Sequence, residues 1–217
     1  MSNSLADGRR HAPATQRNRE PILAVLARVL PTTAAVLEIA SGTGEHAVFF
    51  APALAPRSWI PSDPDPQARQ SITAWRRTQP TPNLASPLAL DVAQPHWWQQ
   101  VPPPDIAPLG AIVAINLIHI APWIACLGLM QGAAQLLPLG GILYLYGPYR
   151  QNGGHTAPSN VAFDQHLQAQ NPSWGVRDQE AVIEIAQDQG LELMETVVMP
   201  ANNLSLVFKV SRAQVKP

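Results

Sequence analysis

Apolar runs of strand length recur along the chain at a nearly constant spacing, and four polar residues mark the ends of the first four strands. These residues are Glu38, Asp63, Asp91 and Asn116, which stand 25, 28 and 25 residues apart. A period of this length, with helix-like segments in between, is typical of a repeated strand–helix unit. Because the runs are unbroken, we expect strands buried on both faces, in a parallel sheet covered by helices. The sequence therefore predicts an α/β fold.

The same patterns predict the boundaries of the individual elements. We expect strands over residues 34–40, 59–60, 87–90, 111–115, 142–146, 191–199 and 204–210. We expect helices over residues 21–29, 45–54, 67–77, 96–100, 123–137 and 180–189, the first opened by Pro21. Only residues 200–203 separate the last two strands, which must therefore pair antiparallel. Residues 1–20 are predicted to be an N-terminal arm, and residues 21–217 a single domain.

Composition and charge narrow the possible partners. Hydrophobic residues make up 46% of the chain, which is enough for a sizeable core. The net charge of −1 leaves no basic field that would attract nucleic acid, so no nucleic-acid partner is expected. The single cysteine, Cys126, excludes an internal disulfide and suits the cytoplasm, and its apolar neighbours predict a buried, inert thiol. The six histidines and the cysteine have no metal-ligand spacing, so no metal site is predicted.

One apolar stretch, residues 110–130, is long enough to cross a membrane. Asn116, His119 and Pro122 interrupt it, and these residues would be costly in lipid. We therefore interpret the stretch as a buried strand, a turn and the start of a helix. Residues 1–20 carry no apolar segment typical of a secretory signal. No membrane association is expected.

A glycine-rich segment follows the first predicted strand: residues 37–46 read Leu-Glu-Ile-Ala-Ser-Gly-Thr-Gly-Glu-His. Gly42 and Gly44 allow the backbone to approach a ligand, and the following helix offers free N–H groups at its N-terminus. A dinucleotide site uses the same device with a third glycine, and Ala47 in that position does not exclude NAD. Glu38 favours S-adenosylmethionine, because sites for that cofactor place an acid there, facing its positively charged amino-acid end. A purely structural strand–helix turn is the alternative.

Three further acids stand at or near predicted strand ends, where ligands bind in open α/β sheets. Asp63 can accept hydrogen bonds from both ribose hydroxyls of an adenosine, a device that NAD sites share. Asp65 competes for that role, although its proline neighbours also make it a candidate turn residue or helix cap. Asp91 could accept from the adenine amino group, or it could cap a helix.

The later segments offer candidates for the substrate side. His119 lies among apolar residues, so a packed core residue and a general base are both open interpretations. The segment 147–154 is predicted to be a loop, either a substrate lid or a plain linker. The turn 200–203 is expected at the carboxyl edge of the sheet, where its asparagines could meet a substrate or stabilise the turn itself. Asp178 is the predicted N-cap of the helix that follows it.

From about Arg9 to Val210 the chain resembles the methyltransferase-like 26 family, a branch of the class I S-adenosylmethionine-dependent methyltransferases. The resemblance rests on residues 17–23, 37–46, 61–63, 116–120, 146–149, 171–178 and 199–203. It implies a Rossmann-like fold with a seven-stranded, mostly parallel sheet of order 3-2-1-4-5-7-6, strand 7 antiparallel, and helices on both faces. It implies S-adenosylmethionine as cofactor but supplies no substrate. Ala40 stands where the wider class has a glycine, and alanine is small enough for us to expect that binding survives.

The residues and the resemblance together predict a methyltransferase that acts on a small molecule. The predicted cofactor-binding residues are Glu38, Ala40, Ser41, Gly42, Thr43, Gly44, Asp63, Asp91 and Asn116. The predicted catalytic residues are His119 and Asn116, and the predicted substrate-binding residues are Arg17, Asn18, Tyr149 and Asn202. One alternative is a non-catalytic cofactor-binding module on the same fold. The other is a nicotinamide-dependent oxidoreductase, which Glu38 and the final antiparallel hairpin disfavour.

Overall fold

Residues 3–4, 7–103 and 107–211 are described by the computed structural model. The helices are α1 (Pro13–Val29), α2 (Glu45–Ala53), α3 (Pro66–Thr78), α4 (Trp123–Leu136), α5 (Pro158–Gln170) and α6 (Gln179–Asp188). The strands are β1 (Asn3–Ser4), β2 (Arg10–His11), β3 (Ala35–Ile39), β4 (Trp59–Pro61), β5 (Leu109–Ile115), β6 (Ile142–Gln151), β7 (Gly154–His155), β8 (Arg177–Asp178), β9 (Leu191–Met199) and β10 (Asn203–Val210). Short 3-10 helices span Trp97–Gln100, Leu117–His119 and Pro200–Asn202.

The chain falls into two compact units. The first holds the described residues of Met1–Asp91 and Gln100–Ala114, and the second holds those of Val92–Gln99 and Ile115–Pro217. The single domain over residues 21–217 stays a prediction.

The first unit is built around β3, which is buried along its whole length. β4 lies on one side of β3 and β5 on the other, and both are parallel to it. Burial on both faces explains why β4 and β5 are unbroken apolar runs and why β3 is apolar apart from Glu38. α3 buries Ala68, Ser71, Ile72 and Trp75, and this spacing of three and four residues turns one face of the helix into the core.

The predicted strand over residues 87–90 is not a continuous strand. Leu88 forms an isolated parallel bridge with Ser62, and its N–H donates to the carbonyl of Pro61 (2.9 Å). Pro87 has no N–H to donate, which interrupts the ladder at this edge. In place of the third strand of the predicted order, two isolated parallel bridges, Trp59 with Leu84 and Ser62 with Leu88, lie at this edge of the sheet.

The N-terminal helix begins earlier than predicted. α1 starts with Pro13 in its first turn and continues through Pro21. A first turn tolerates proline because the N–H that proline lacks would have no helical partner there, so Pro13 fits the start as well as Pro21 would. Thr15 and Asn18 are buried, and their packing favours the upstream turns. The predicted start at Pro21 is wrong, because residues 13–20 are already helical.

The second unit contains an antiparallel group of strands. β10 lies between β6 and β9 and is antiparallel to both. The predicted antiparallel pairing of the last two strands is thus confirmed. Asn203 stands opposite Pro148 in the register of β10 with β6, so the turn 200–203 lies at the carboxyl end of β6, as expected.

β6 is longer than predicted. It runs through Gln151, and only Asn152 and Gly153 form the turn to β7, both with positive φ (51° and 75°). β7 and β8 pair with this extension, and Tyr149 within it is fully buried. The predicted loop over residues 147–154 is therefore wrong, because neighbouring strands turn most of that segment into sheet.

Two helices differ from the expected pattern. α5 lies outside the predicted helices, since its buried positions Asn160, Asp164 and Leu167 include only one apolar side chain. Apolar periodicity therefore could not reveal it. The helix expected over residues 96–100 is a short 3-10 helix. Asp178 is the N-cap of α6, as predicted, although its side chain makes no capping hydrogen bond.

Within the first unit, the strand order β4–β3–β5 corresponds to the 2-1-4 section of the predicted order. Within the second unit, the strand order β6–β10–β9 corresponds to its 5-7-6 section. The α/β fold with parallel strands, helices and a final antiparallel hairpin is confirmed. No helix in the described part of the chain is both long and apolar enough to cross a membrane.

Candidate functional site

The turn after β3 and the loop after β4 lie against each other in the first unit. Gly42 N–H donates to Asp63 Oδ2 (2.9 Å), and Ser41 N–H donates to the carbonyl of Ser62 (2.8 Å). The two segments meet because neighbouring parallel strands end at the same edge of a sheet. Three of the predicted cofactor-binding residues, Ser41, Gly42 and Asp63, are therefore together at this edge.

The backbone of the turn is left-handed at Ala40 (φ 54°), Gly42 (φ 57°) and Gly44 (φ 87°). Glycine adopts such angles without strain, whereas an alanine is strained by roughly 1–2 kcal/mol. Ala40 stands where the resemblance implies a glycine, and its positive φ is the physical reason for that preference. The turn keeps its left-handed geometry despite the alanine.

The two glycines of the turn have different surroundings. A Cβ atom added at Gly44 would lie 2.8 Å from the Ile72 Cα atom of α3, which is too close for any side chain. A Cβ atom added at Gly42 would meet nothing within 4 Å, so open space lies beside that residue. Gly44 therefore serves the packing of the turn against α3, and Gly42 leaves room for a ligand.

We expect Gly44→Ala to lower the free energy of unfolding by about 2 kcal/mol, because the methyl group meets backbone atoms and the φ is unfavourable. Gly42→Ala is the matched control: its methyl group enters open space, so only the unfavourable φ, about 1 kcal/mol, is expected to act. Urea unfolding of the two variants measures the difference. Equal losses would contradict the packing role of Gly44.

Asp63 is buried, and each of its carboxylate oxygens already holds a backbone N–H. Oδ2 accepts from Gly42, and Oδ1 accepts from Asp65 N–H (2.9 Å). Each oxygen can accept a further hydrogen bond, so two ribose hydroxyls can still be held. Burial raises the pKa of Asp63 above its ordinary value, and the two N–H donors oppose this effect. Asp65 caps α3 by accepting from Gln67 N–H (2.9 Å), which confirms its interpretation as a helix cap.

Glu38 is buried beside Trp59 of β4. It is 2% exposed, and its Oε2 accepts from Trp59 Nε1–H (2.9 Å). Burial raises the pKa of Glu38 to about 7, although the N–H of Trp59 acts in the opposite direction. The Glu38 carbonyl accepts from Ser62 Oγ–H (2.8 Å), which links it to the loop after β4. That Glu38 faces the charged end of a cofactor stays a prediction.

Glu45, the first residue of α2, is a site residue that sequence reasoning missed. Its buried carboxylate accepts from Ala12 N–H (2.6 Å) and Thr43 Oγ1–H (3.1 Å), and lies 2.6 Å from His11 Nδ1. It therefore ties the segment before α1 to the glycine turn. The one signal in the sequence was an acid in the first turn of a helix, which the helix dipole favours.

The segment before α1 is also held on α3. Arg10 N–H donates to Ser71 Oγ (2.8 Å), and Trp75 Nε1–H donates to the carbonyl of Arg10 (3.1 Å). The Arg9 guanidinium lies over the Trp75 ring, 4.5 Å from its centroid. Residues 9–12 are therefore packed against α3 and α2 of the first unit.

Arg17, Asn18 and Asp91 are the other predicted residues of this unit. Asn18 is buried, and its Oδ1 lies 2.9 Å from His46 Nε2. Burial lowers the pKa of His46 to about 4, and the charge of Arg19 acts in the same direction, so the ring is neutral. Arg17 is exposed on α1. Asp91 is half-buried, and no helix begins directly after it, which removes its interpretation as a helix cap. Binding roles for all three stay predictions.

In the second unit, His119 is fully buried. Its ring packs edge-on to Tyr149, with centroids 5.0 Å apart, and Gly147 lies so close that a Cβ there would collide with Nε2. Nδ1 accepts from Arg177 N–H (3.4 Å), and Nε2 has no hydrogen-bond partner among the described residues. Burial lowers the pKa of His119 to about 3, and Arg177 adds to the effect, so the ring is neutral.

These surroundings favour the packing interpretation of His119. A general base must come within hydrogen-bond reach of the proton that it removes, and this ring has no exposed surface. Its catalytic role stays a prediction that the burial argues against.

The other predicted residues of the second unit are Asn116, Tyr149 and Asn202. Asn116 follows β5 with φ 61°, and its N–H donates to the carbonyl of Tyr146 (2.7 Å). Tyr149 is fully buried, and its hydroxyl has no partner among the residues that the structure describes. Asn202 is exposed, and its Nδ2 donates to Ser159 Oγ (3.1 Å). Ser159 belongs to α5, so this bond is not local to the turn. The turn is stabilised from within by Asn203, whose Nδ2 donates to the carbonyls of Pro200 (3.0 Å) and Ala201 (3.2 Å). Binding by Asn116, Tyr149 and Asn202 stays a prediction.

Arg177 is a structural anchor that sequence reasoning missed. Its Nε donates to the carbonyl of Ile118 (2.9 Å), and its Nη2 donates to those of Ala121 and Ser173 (both 2.7 Å). It thus binds the segment after β5 to the segment before β8. Its partners are backbone carbonyls, which every residue has, so no residue type in the sequence indicates these contacts.

Cys126 is fully buried, and burial raises the pKa of its thiol to about 12. The thiol is therefore inert, as predicted. Among the described residues, no group of three or more His, Cys, Asp or Glu is placed to hold a metal ion.

Comparison with solved structures shows which fold this is. An O-methyltransferase family protein from Burkholderia thailandensis has a TM-score of 0.75 at 13% identity, over 93% of this chain and 58% of that one. Human N-acetylserotonin methyltransferase, solved in complex with S-adenosylmethionine, has a TM-score of 0.73 at 11% identity, over 92% and 53%. The mitomycin 7-O-methyltransferase has a TM-score of 0.74 at 10% identity, over 91% and 54%. The shared feature is the class I methyltransferase fold, and this chain spans a little over half the length of those proteins.

Similarity in sequence extends over nearly the whole chain. The family described as a protein of unknown function, DUF938, matches residues 9–210. The match begins in the segment before α1, which is hydrogen-bonded to Glu45, and it ends at Val210, the last residue of β10. This chain therefore belongs to the DUF938 family.

Proposed function

We propose that this chain is an S-adenosylmethionine-dependent methyltransferase that acts on a small molecule in the cytoplasm. The observation that carries the proposal is the 2.9 Å hydrogen bond from Gly42 N–H to the Asp63 carboxylate. This bond joins a glycine turn that can approach a ligand closely to an acid that can hold a ribose. We also propose that the chain is a relative of the methyltransferase-like 26 proteins within the DUF938 family.

The residues at this edge fit the cofactor. Asp63 keeps acceptor capacity on both oxygens for the ribose hydroxyls, and open space lies beside Gly42. When bound, S-adenosylmethionine supplies a methyl group activated by a sulfonium sulfur. The protein then has to hold the cofactor and align the substrate with its methyl group. A site made of a turn and a carboxylate, without a reactive side chain, agrees with this positioning role.

The solved neighbours support the proposal at the level of the fold. The human enzyme of the same fold was solved with S-adenosylmethionine bound. A fold can host several functions, so the proposal depends on the site residues and not on the fold by itself.

Isothermal titration calorimetry of the full chain tests the cofactor. We expect saturable binding of S-adenosylmethionine and of S-adenosylhomocysteine, and at least tenfold weaker binding of NAD. Adenosine alone should compete with S-adenosylmethionine, because it carries the ribose that Asp63 would hold. Binding of NAD without binding of S-adenosylmethionine would overturn the proposal in favour of a nicotinamide-dependent oxidoreductase.

A non-catalytic cofactor-binding module is the second candidate. It is favoured by the burial of His119 and Tyr149, which leaves these two predicted side chains without exposed surface. Turnover separates the two candidates: an enzyme forms S-adenosylhomocysteine when it is incubated with hydroxyl, amine or thiol acceptors. A module binds the cofactor and forms none.

A further inference from the structure

A cavity of about 990 Å³ lies beside α3 in the first unit. Its walls are the segment 7–10, one face of α3 and residues 86–87. A volume of this size accommodates a small molecule. None of the predicted cofactor-binding residues lines it, although Arg69 in its wall donates a hydrogen bond to the backbone carbonyl of Asp63.

The cavity is polar and positively charged. Its described lining includes three arginines, Arg10, Arg69 and Arg77, and one carboxylate, Asp7. Asp7 is already paired with Arg9, since 2.8 Å separates Asp7 Oδ2 from Arg9 Nε. The lining therefore has an excess of positive charge in a chain whose net charge is −1. A cleft lined by one sign of charge concentrates ligands of the opposite sign.

The excess charge comes chiefly from α3. Arg10 is partly neutralised by Asp65, because 3.5 Å separates Arg10 Nη1 from Asp65 Oδ2. Arg69 and Arg77 stand eight residues apart on the same face of the helix, with Thr73 between them. Two turns of helix separate them by about 12 Å, so a ligand that meets both must present more than one anionic group.

Arg69 is held in a fixed orientation. Its Nη1 donates to the carbonyls of Asp63 and Pro64, both at 2.8 Å. These bonds use the two hydrogens of Nη1 and leave the N–H groups of Nε and Nη2 for a ligand. The planar guanidinium matches the geometry of phosphate oxygens, with which it forms two parallel hydrogen bonds.

We propose that this cavity binds a small molecule that carries two or more phosphate groups. Arg69 and Arg77 bind separate phosphates, and Arg10 on the N-terminal segment closes the third side. The concave shape and the small number of cations fit a small ligand, since binding along nucleic acid requires many phosphate contacts. The residues that line this site are not among the predicted cofactor-binding residues, and the proposal does not rest on the proposed function.

Calorimetric titration of the full chain with sodium tripolyphosphate tests the proposal. We expect saturable binding at one site, weakened by added salt as for any charge-driven interaction. Arg77→Gln should weaken binding about tenfold, and Arg69→Gln should do the same. Arg28→Gln is the matched control: it removes the same charge from an exposed position on α1 that does not line the cavity, and it should bind as the wild type does.

Arg77→Gln is the decisive variant, because Arg77 is exposed and its loss leaves the backbone bonds of Arg69 intact. Absence of saturable binding by the wild type would overturn the proposal. So would an equal loss in Arg28→Gln and Arg77→Gln, because binding would then follow net charge. S-adenosylmethionine should bind equally to the wild type and to Arg77→Gln, so a failure of phosphate binding is distinguishable from a failure of the proposed function.

Discussion

Replacing Asp63 by asparagine should weaken the binding of S-adenosylmethionine by about a hundredfold. Both carboxylate oxygens of Asp63 have room for a ribose hydroxyl beside the backbone N–H groups that they hold at 2.9 Å. A hydrogen bond to a charged acceptor contributes about 1.5–3 kcal/mol. Asparagine keeps one acceptor oxygen, so the variant loses one of the two hydrogen bonds and the charge that strengthens the other, and a total loss of about 3 kcal/mol corresponds to a hundredfold. Calorimetric titration of the wild type and the variant measures the change in affinity.

Asp65→Asn is the matched control, because it removes the same charge two residues away. Asp65 caps α3, and asparagine caps a helix as well as aspartate does, so cofactor binding should change little. Thermal melting of both variants shows whether the turn remains folded. If Asp65→Asn weakens binding and Asp63→Asn does not, the ribose is held by the other carboxylate.

Glu38→Gln should remove a dependence of stability on pH that the wild type shows. Burial raises the pKa of Glu38 to about 7 in the folded chain, against an ordinary value of 4.5. The folded state therefore binds this proton more tightly than the unfolded state does. The resulting stabilisation is fully present below the ordinary pKa and is lost as the pH rises through about 7.

The size of this effect follows from the two pKa values. Between about pH 5 and about pH 8, the wild type should lose roughly 2–3 kcal/mol of unfolding free energy relative to Glu38→Gln. Urea unfolding at both pH values measures the loss. Glu192→Gln, which removes an exposed carboxylate on β9, controls for the change in net charge and should follow the wild type. A constant difference between the wild type and Glu38→Gln at both pH values would show that Glu38 ionises alike in the two states.

The elements around the glycine turn could be predicted because their signals are local. β3 lies inside the predicted strand 34–40, and α2 begins at Glu45, as expected. The strand is apolar on both faces, and the glycines follow it directly, so a window of about ten residues contains the whole pattern. The same reasoning placed Asp63 close to the end of β4, which it follows by two residues.

The elements that were mispredicted depend on partners from elsewhere in the chain. β6 extends to Gln151 because β8, which comes after α5, pairs with it at Tyr149 and Arg150. The segment 87–90 looks like a strand in isolation, but it forms only the bridge from Leu88 to Ser62, because Pro87 has no N–H to donate. α5 buries mainly polar positions, so its amphipathic pattern is hidden until its neighbours are known.

Local pattern alone thus establishes the α/β class, the glycine turn and the place of Asp63 shortly after β4, because apolar period and turn residues act within a few positions. The folded structure settles which group each polar side chain meets. Glu38 pairs with Trp59, 21 residues later, and His119 meets the backbone of Arg177, 58 residues later. Such contacts join segments that are distant in sequence, and the burial that shifts both pKa values exists only once those segments pack together.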